Sequence, residues 1–114
     1  MRLLVCGGRS YANRKRLYSV LDSLEKPSAV IHGNAPGADS LADAWAIERG
    51  ITAIRCPAKW SQFGRAAGPL RNQFMLDFHK PDVVVAFPGG AGTAHMVSIA
   101  KEVDVLVINV KEEE

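Results

Sequence analysis

Cysteine is scarce in this sequence: there are two, at positions 6 and 56, far from the CxxC spacing of a metal or redox site. Each ends an apolar run, so both read as reduced, part-buried small residues. No apolar stretch approaches the roughly 20 residues that span a bilayer. Met1-Arg2 leads straight into a short strand-like run, not a secretory leader, and the expected compartment is the cytoplasm. Charge of one sign is also lacking. Fourteen basic and twelve acidic residues leave +2, too little for nucleic-acid capture by bulk electrostatics. Two tryptophans, two tyrosines and four phenylalanines are few for a single-strand stacking platform. Histidines 32, 79 and 95 have no ligand spacing, so neither a metal nor another cofactor is expected. Repeats, low-complexity tracts and linkers are missing.

What is present fits one domain over residues 1–114. A chain of this length buries roughly 65% of the surface its unfolded form exposes, enough for a core without staples. Hydrophobic residues make up 47% of it, which argues against disorder. Strand and helix patterns alternate throughout. Leu3-Leu4-Val5-Cys6 is a short apolar run closed by Gly7-Gly8, as expected of a strand covered on both faces. Leu17, Val20, Leu21 and Leu24 mark one helical face, and Pro27 ends that helix. Ala29-Val30-Ile31 is the second strand. An alanine-rich helix runs from about Ala38 to Arg49, with Leu41 and Trp45 inward and Gly50 as its stop. Ile51 to Cys56 is the third strand. Residues 57–67 lack periodicity and read as one long loop. A helix starts near Pro69, with Leu70, Phe74 and Phe78 as its inward repeat. Val83 to Phe87 is strand four, Met96, Val97, Ala100 and Val103 line the last helix, and Val105 to Ile108 closes the sheet. Lys111-Glu112-Glu113-Glu114 reads as a solvated tail.

Five buried parallel strands joined by helices predict an α/β, Rossmann-like, doubly wound sheet. Ligands in such sheets sit beyond the carboxyl ends of the strands, where the winding reverses. The glycines closing strands one and four favour the order 3-2-1-4-5, which puts the crevice between those strands. Strand two then separates Cys6 from Cys56 by about 9–10 Å, too far for a disulfide.

The most informative stretch is Phe87-Pro88-Gly89-Gly90-Ala91-Gly92-Thr93. A strand, a glycine turn and a helix start form a preformed anion site, where backbone amides and the positive end of the helix dipole meet a phosphate. Thr93 adds a hydroxyl. Gly7 and Gly8 would leave room for a ligand beside strand one, and Arg9 can pair with phosphate in bidentate fashion. Tyr11 either stacks on a base or covers the sheet end. Asp39 either accepts ribose hydroxyls, as an acidic residue does in dinucleotide folds, or caps its helix, and Ser40 has the same alternatives. His32 reads as hydrogen-bonded structure. Asn34 is a turn residue or a ligand contact. Lys59, Trp60, Phe63 and Arg65 suggest a lid over the crevice.

Four blocks carry a resemblance. Gly7-Gly8-Arg9-Ser10-Tyr11, His32-Gly33-Asn34-Ala35-Pro36-Gly37-Ala38-Asp39, Gly68-Pro69-Leu70-Arg71-Asn72-Gln73-Phe74-Met75 and Pro88-Gly89-Gly90-Ala91-Gly92-Thr93 resemble the SLOG superfamily, which includes the Smf/DprA and LOG proteins. The closest likeness is to its small YspA/YpsA-related branch. The resemblance implies binding of nucleotides or nucleotide-derived signals, at Gly7, Gly8, Arg9, Tyr11, Gly33, Asn34, Asp39, Arg71 and Pro88 to Thr93. It also offers two alternatives. One is LOG-like N-glycosidase action on nucleoside 5'-monophosphates, with Arg71 and His95 as catalytic candidates. The other is DprA-like single-stranded DNA binding, which the charge and aromatic content oppose. The LOG signature PGGxGTxxE ends in a glutamate whose carboxylate supports oxocarbenium chemistry. Met96 stands in its place, and His95 points about 100° away around the helix. Asp39 or Glu48 would have to supply a carboxylate from elsewhere. A binding module such as a sensor, carrier or sponge is therefore the favoured expectation. SLOG relatives commonly form homo-oligomers. Trp45 and Phe78 would serve an interface if exposed, although a core position is the stronger reading of both.

Overall fold

The computed structural model of the protein describes residues 1–112, so Glu113 and Glu114 of the expected tail lie outside the described residues. The elements are β1 (Arg2–Cys6), α1 (Arg14–Asp22), β2 (Ala29–His32), α2 (Ala38–Glu48), β3 (Thr52–Arg55), α3 (Trp60–Phe63), a 3-10 turn (Gly64–Ala66), α4 (Ala67–His79), β4 (Val83–Ala86), α5 (Ala91–Glu102) and β5 (Leu106–Asn109). The five strands form one parallel sheet in the order β3-β2-β1-β4-β5. This is the α/β Rossmann-like arrangement expected from the strand and glycine placement.

Alternation along the central strands sorts the core into two layers, because successive strand side chains point to opposite faces. Leu3, Val5, Val30 and Val85 pack under α1 and α2 with Leu17, Leu21, Ala42 and Trp45. Leu4, Cys6, Ile31, Val84 and Ala86 pack under α4 and α5 with Met75, Leu76, Met96 and Ala100. Asn13 caps α1, its side chain accepting from the Arg16 amide at 3.0 Å. Lys80, in the left-handed region (φ 46°), ends α4 just before Pro81. The winding reverses between β1 and β4, so the loops after these two strands face each other.

Several expectations need correction. The three central strands are buried apart from their first residues Arg2 and Val83 in β1 and β4; β3 and β5 are edges, with Thr52, Arg55, Leu106 and Asn109 exposed. Residues 57–67 are not a structureless loop, since α3 and the 3-10 turn occupy most of them and α4 begins at Ala67. The inward face of α4 is reversed. Leu70 and Phe74 are each 49% exposed and Phe78 68%, whereas Ala67, Gly68, Asn72, Met75 and Leu76 are buried. Both faces repeat at helical spacing, and the larger side chains took the outer one. Small residues face inward where the Trp60 indole lies on the helix: a Cβ on Gly68 would stand 3.2 Å from its ring. Val103 caps the end of α5 and is exposed, and Ile99 within the helix is buried instead. Trp45 is core, and Lys111 and Glu112 lie along α1 through Arg16 and Asn13.

Candidate functional site

A crevice of about 990 Å³ opens at the carboxyl ends of β1 and β4, walled by residues 7–11, Gly33, Ala35 and Asp39, the start of α4, and residues 88–93 with His95. Its floor depends on how closely two glycine loops meet. The Gly8 amide donates to the Pro88 carbonyl (2.9 Å), and the Gly8 carbonyl accepts from the Tyr11 and Ala38 amides (3.2 and 3.1 Å). A Cβ on Gly8 would stand 3.0 Å from the Pro88 oxygen, one on Gly89 2.7 Å from the Gly8 nitrogen, and one on Gly7 2.6 Å from the Ala38 Cβ. Gly7 and Gly8 are therefore filled against protein and do not simply leave space for a ligand. Gly37 adopts a φ of 80° beneath Gly8 and Arg9. Gly90 and Gly92 differ, since a Cβ on either would meet nothing within 4 Å.

Those two glycines flank the first turn of α5. Gly90 is its N-cap residue and supplies no side-chain cap; the first helical bond runs from the Ala94 amide to the Gly90 carbonyl at 3.1 Å. The amides of Gly90, Ala91, Gly92 and Thr93 find no acceptor among the described residues. A helix start leaves such donors unpaired and carries partial positive charge. The turn is open to an anion, and no side chain among the described residues caps it.

Arg71 enters from α4. Its Nη1 donates to the carbonyls of Gly33 (2.6 Å) and Cys56 (3.2 Å), and its Nε donates to Asn72 Oδ1 (3.0 Å). Burial lowers its pKa and the nearby Asp39 carboxylate opposes this; the guanidinium stays charged. Asp39 is buried and caps no amide of its own helix. Its Oδ2 accepts from the Gly33 and Ala35 amides at 3.1 and 3.2 Å, and so shapes the loop that leads into α2. Burial raises the Asp39 pKa, against the pull of those amides and of the Arg71 guanidinium. Ser40 donates to the Ala35 carbonyl (3.0 Å).

The other predicted residues divide. Arg9 is exposed at the rim, its guanidinium 5.3 Å from the centroid of the Trp60 ring. Trp60 and Arg65 border the crevice, whereas Lys59 and Phe63 line a separate cavity of about 380 Å³ behind α4. The expected lid is thus split between two cavities. Tyr11 is buried against Phe87, with ring centroids 5.4 Å apart, so it covers the sheet end. Asn34 holds a φ of 56° and is absent from the crevice walls, which fits a turn residue. His32 is fully buried; its Nδ1 accepts from the Asn34 amide (2.9 Å) and its Nε2 faces Asp43 Oδ1 (2.7 Å). Met96 is fully buried core, so no carboxylate stands at that position. Cys6 is a buried free thiol; burial, and then Asp39, pushes its pKa up to about 12, which keeps it protonated and inert. No group of metal-ligating side chains occurs among the described residues.

Sequence reasoning gave no role to Asn72. It is buried between Arg71, the Gly92 carbonyl (3.2 Å from Nδ2) and His95 Nδ1 (3.1 Å). The available signal was a polar residue on the same helical face as Gly68 and Met75.

A parallel sheet wound about β1 and β4, with an uncapped glycine-flanked helix start at the crossover, defines a Rossmann-like domain with a crevice suited to an anionic ligand. Residues 1–63 match the family described as "YAcAr: YspA, cpYpsA-related SLOG family". The chain also resembles the "Gene 61 protein" of Mycobacterium phage D29, at 36% identity over 119 residues covering 95% of this chain and 94% of that protein. The protein belongs to the YspA, cpYpsA-related SLOG family. The matched segment holds the Gly7-Gly8-Arg9 and His32–Asp39 blocks, and Arg71 and the Gly89–Thr93 turn lie beyond it. Among the described residues no helix is long and apolar enough to cross a membrane.

Proposed function

We propose that the protein binds a nucleotide or nucleotide-derived ligand in the crevice, with a phosphate on the Gly90–Thr93 amides and Arg9, Arg65 and Arg71 around it. The observation that carries this reading is the set of four amides at the start of α5 without an acceptor among the described residues. Family membership supports the class of ligand. Among the described residues three guanidinium groups line the crevice with one carboxylate, Asp39, whose Oδ2 is already taken by two amides. That balance favours an anion.

Binding is favoured over glycosidic cleavage. The position where LOG enzymes hold a glutamate is apolar core here, and Arg71 spends most of its donors on main-chain carbonyls and Asn72. Native mass spectrometry of protein purified from cells, with a thermal-shift panel of nucleoside mono- and diphosphates, tests the reading. A co-purifying nucleotide, or a nucleotide that raises the melting temperature without release of free base, is the expected result. Release of base from AMP or CMP that Arg71→Ala abolishes in a folded protein would replace binding with hydrolysis. A panel without any stabilising nucleotide would remove the proposal.

A further inference from the structure

The hydrogen-bond network behind the crevice fixes which ring nitrogen of His95 carries the proton. Asn72 is buried between two partners whose roles have no freedom. Arg71 Nε can only donate, so the atom facing it at 3.0 Å must be the Asn72 oxygen. The Gly92 carbonyl can only accept, so the atom facing it at 3.2 Å must be the amide nitrogen. Both constraints give the same orientation of the side chain. The Asn72 NH2 group is then the one that meets His95 Nδ1 at 3.1 Å, and an NH2 donor requires a bare, accepting Nδ1. In the neutral ring the proton is left on Nε2, at the far side of the imidazole.

We infer that Asn72 is a positioning residue that locks His95 as a neutral Nε2–H donor facing the crevice, where it hydrogen-bonds an acceptor oxygen of the bound ligand. His95 is half-buried, one turn beyond the unpaired amides, and contributes to the crevice wall. No hydrogen bond engages its Nε2 among the described residues. A ring in this tautomer cannot take a proton through Nε2, so it serves the site as a donor and not as a general base. Through Asn72 the same network ties Arg71 on α4 to Gly92 on α5, which links the two groups expected at the ligand. The oxygen-contact half of the inference rests on the proposed ligand reading, and the tautomer half does not.

Long-range 15N–1H correlation spectra of the unliganded, 15N-labelled protein, with His95→Gln to assign the signals, read the tautomer directly. With the ring neutral, the expected pattern is a protonated Nε2 and a bare Nδ1. In Asn72→Asp a carboxylate accepts on both oxygens, so the proton should move to Nδ1. Asn72→Ala, should the aspartate variant not fold, removes the donor and should shift the signals toward the tautomer mixture of a solvated ring. A wild-type Nδ1–H pattern overturns the inference, as does a proton that stays wholly on Nε2 in both variants. Titration with AMP tests the contact: His95→Ala should weaken binding about tenfold or more. Unchanged AMP affinity in His95→Ala, alongside lost affinity in Gly90→Asp, removes His95 from the contact and leaves the crevice reading standing. If AMP and inorganic phosphate both fail to bind wild-type protein, the contact falls with the crevice reading, and the spectra still decide the tautomer.

Discussion

A single substitution, Gly90→Asp, should move the stability of the free protein and of the ligand-bound protein in opposite directions. Gly90 is the N-cap residue of α5, without a side-chain cap, and a Cβ there meets nothing within 4 Å. An aspartate therefore fits without clash and can accept from the amides of Gly92 or Thr93. Its gain over glycine at an N-cap, with the helix-dipole contribution, is a few tenths to about 1 kcal/mol. The same carboxylate would stand about 4 Å from a phosphate on those amides. At an effective dielectric near 20 the repulsion is about 4 kcal/mol per pair of unit charges, and salt in an open crevice leaves about 2–4 kcal/mol. Affinity should fall roughly 30-fold or more. With nucleotide at about 100 times its dissociation constant, wild-type protein gains about 2.7 kcal/mol, near 10 °C in melting temperature for a domain of this size, and the variant gains under about 1 kcal/mol. Differential scanning fluorimetry with and without nucleotide measures both effects. Equal ligand-induced shifts in the two proteins would refute the argument, because they would put the ligand away from the α5 start.

Gly8→Ala should destabilise the free protein by about 1–3 kcal/mol in urea denaturation, because its Cβ would press on the Pro88 carbonyl where β1 and β4 loops join; a change within about 0.5 kcal/mol would contradict this packing. Phe78→Ser should cost under about 1 kcal/mol since the ring is mostly exposed, whereas Met75→Ala should cost about 2–4 kcal/mol; the reverse order of denaturation midpoints would restore Phe78 to the core. Asp43 carries a pH dependence. The hydrogen bonds from Arg55 hold its pKa below the usual carboxylate value, with His32 adding to this against burial. A depressed folded value means that its contribution is complete above the unfolded carboxylate range and is lost as pH falls through the folded value. The stability gap between wild type and Asp43→Asn should therefore narrow on acidification, and a gap constant with pH would show that the shift is absent.

The fold was legible because a glycine or proline lies within two residues of the end of each of the first four strands. The switch point followed from asking which two strands end in glycines. Helix α4 was misread for a physical reason: periodicity identifies a stripe of large apolar residues but cannot say which side of the helix meets the sheet. Here Gly68 and Asn72 face inward, where Trp60 crosses the helix and Arg71 must reach Gly33. The unpaired turn at the start of α5 was readable from Gly90 and Gly92. The roles of Gly7 and Gly8 were not, because their partners come from loops distant in sequence, and Asp39 was left open because spacing fits a helix cap as well as the bonds it makes to the nearby Gly33 and Ala35 amides. Spacing cannot separate a glycine that admits a ligand from one that admits another backbone.

That distinction also bears on how the site is built. The two groups offered as ligand contacts from different helices, Arg71 and the α5 amides, are not held by their own helices alone. Arg71 is fixed by carbonyls at the ends of β2 and β3, and Asn72 beside it holds the Gly92 carbonyl. The β1 loop is clamped to the β4 loop through Gly8 and Pro88. Each loop thus takes its shape from a neighbour, so the crevice geometry is set before any ligand arrives. Preorganised donors lose little entropy on binding, and a small domain without a long structureless loop can hold an anion this way. Substitutions at these joints should weaken ligand affinity even where they never touch the ligand.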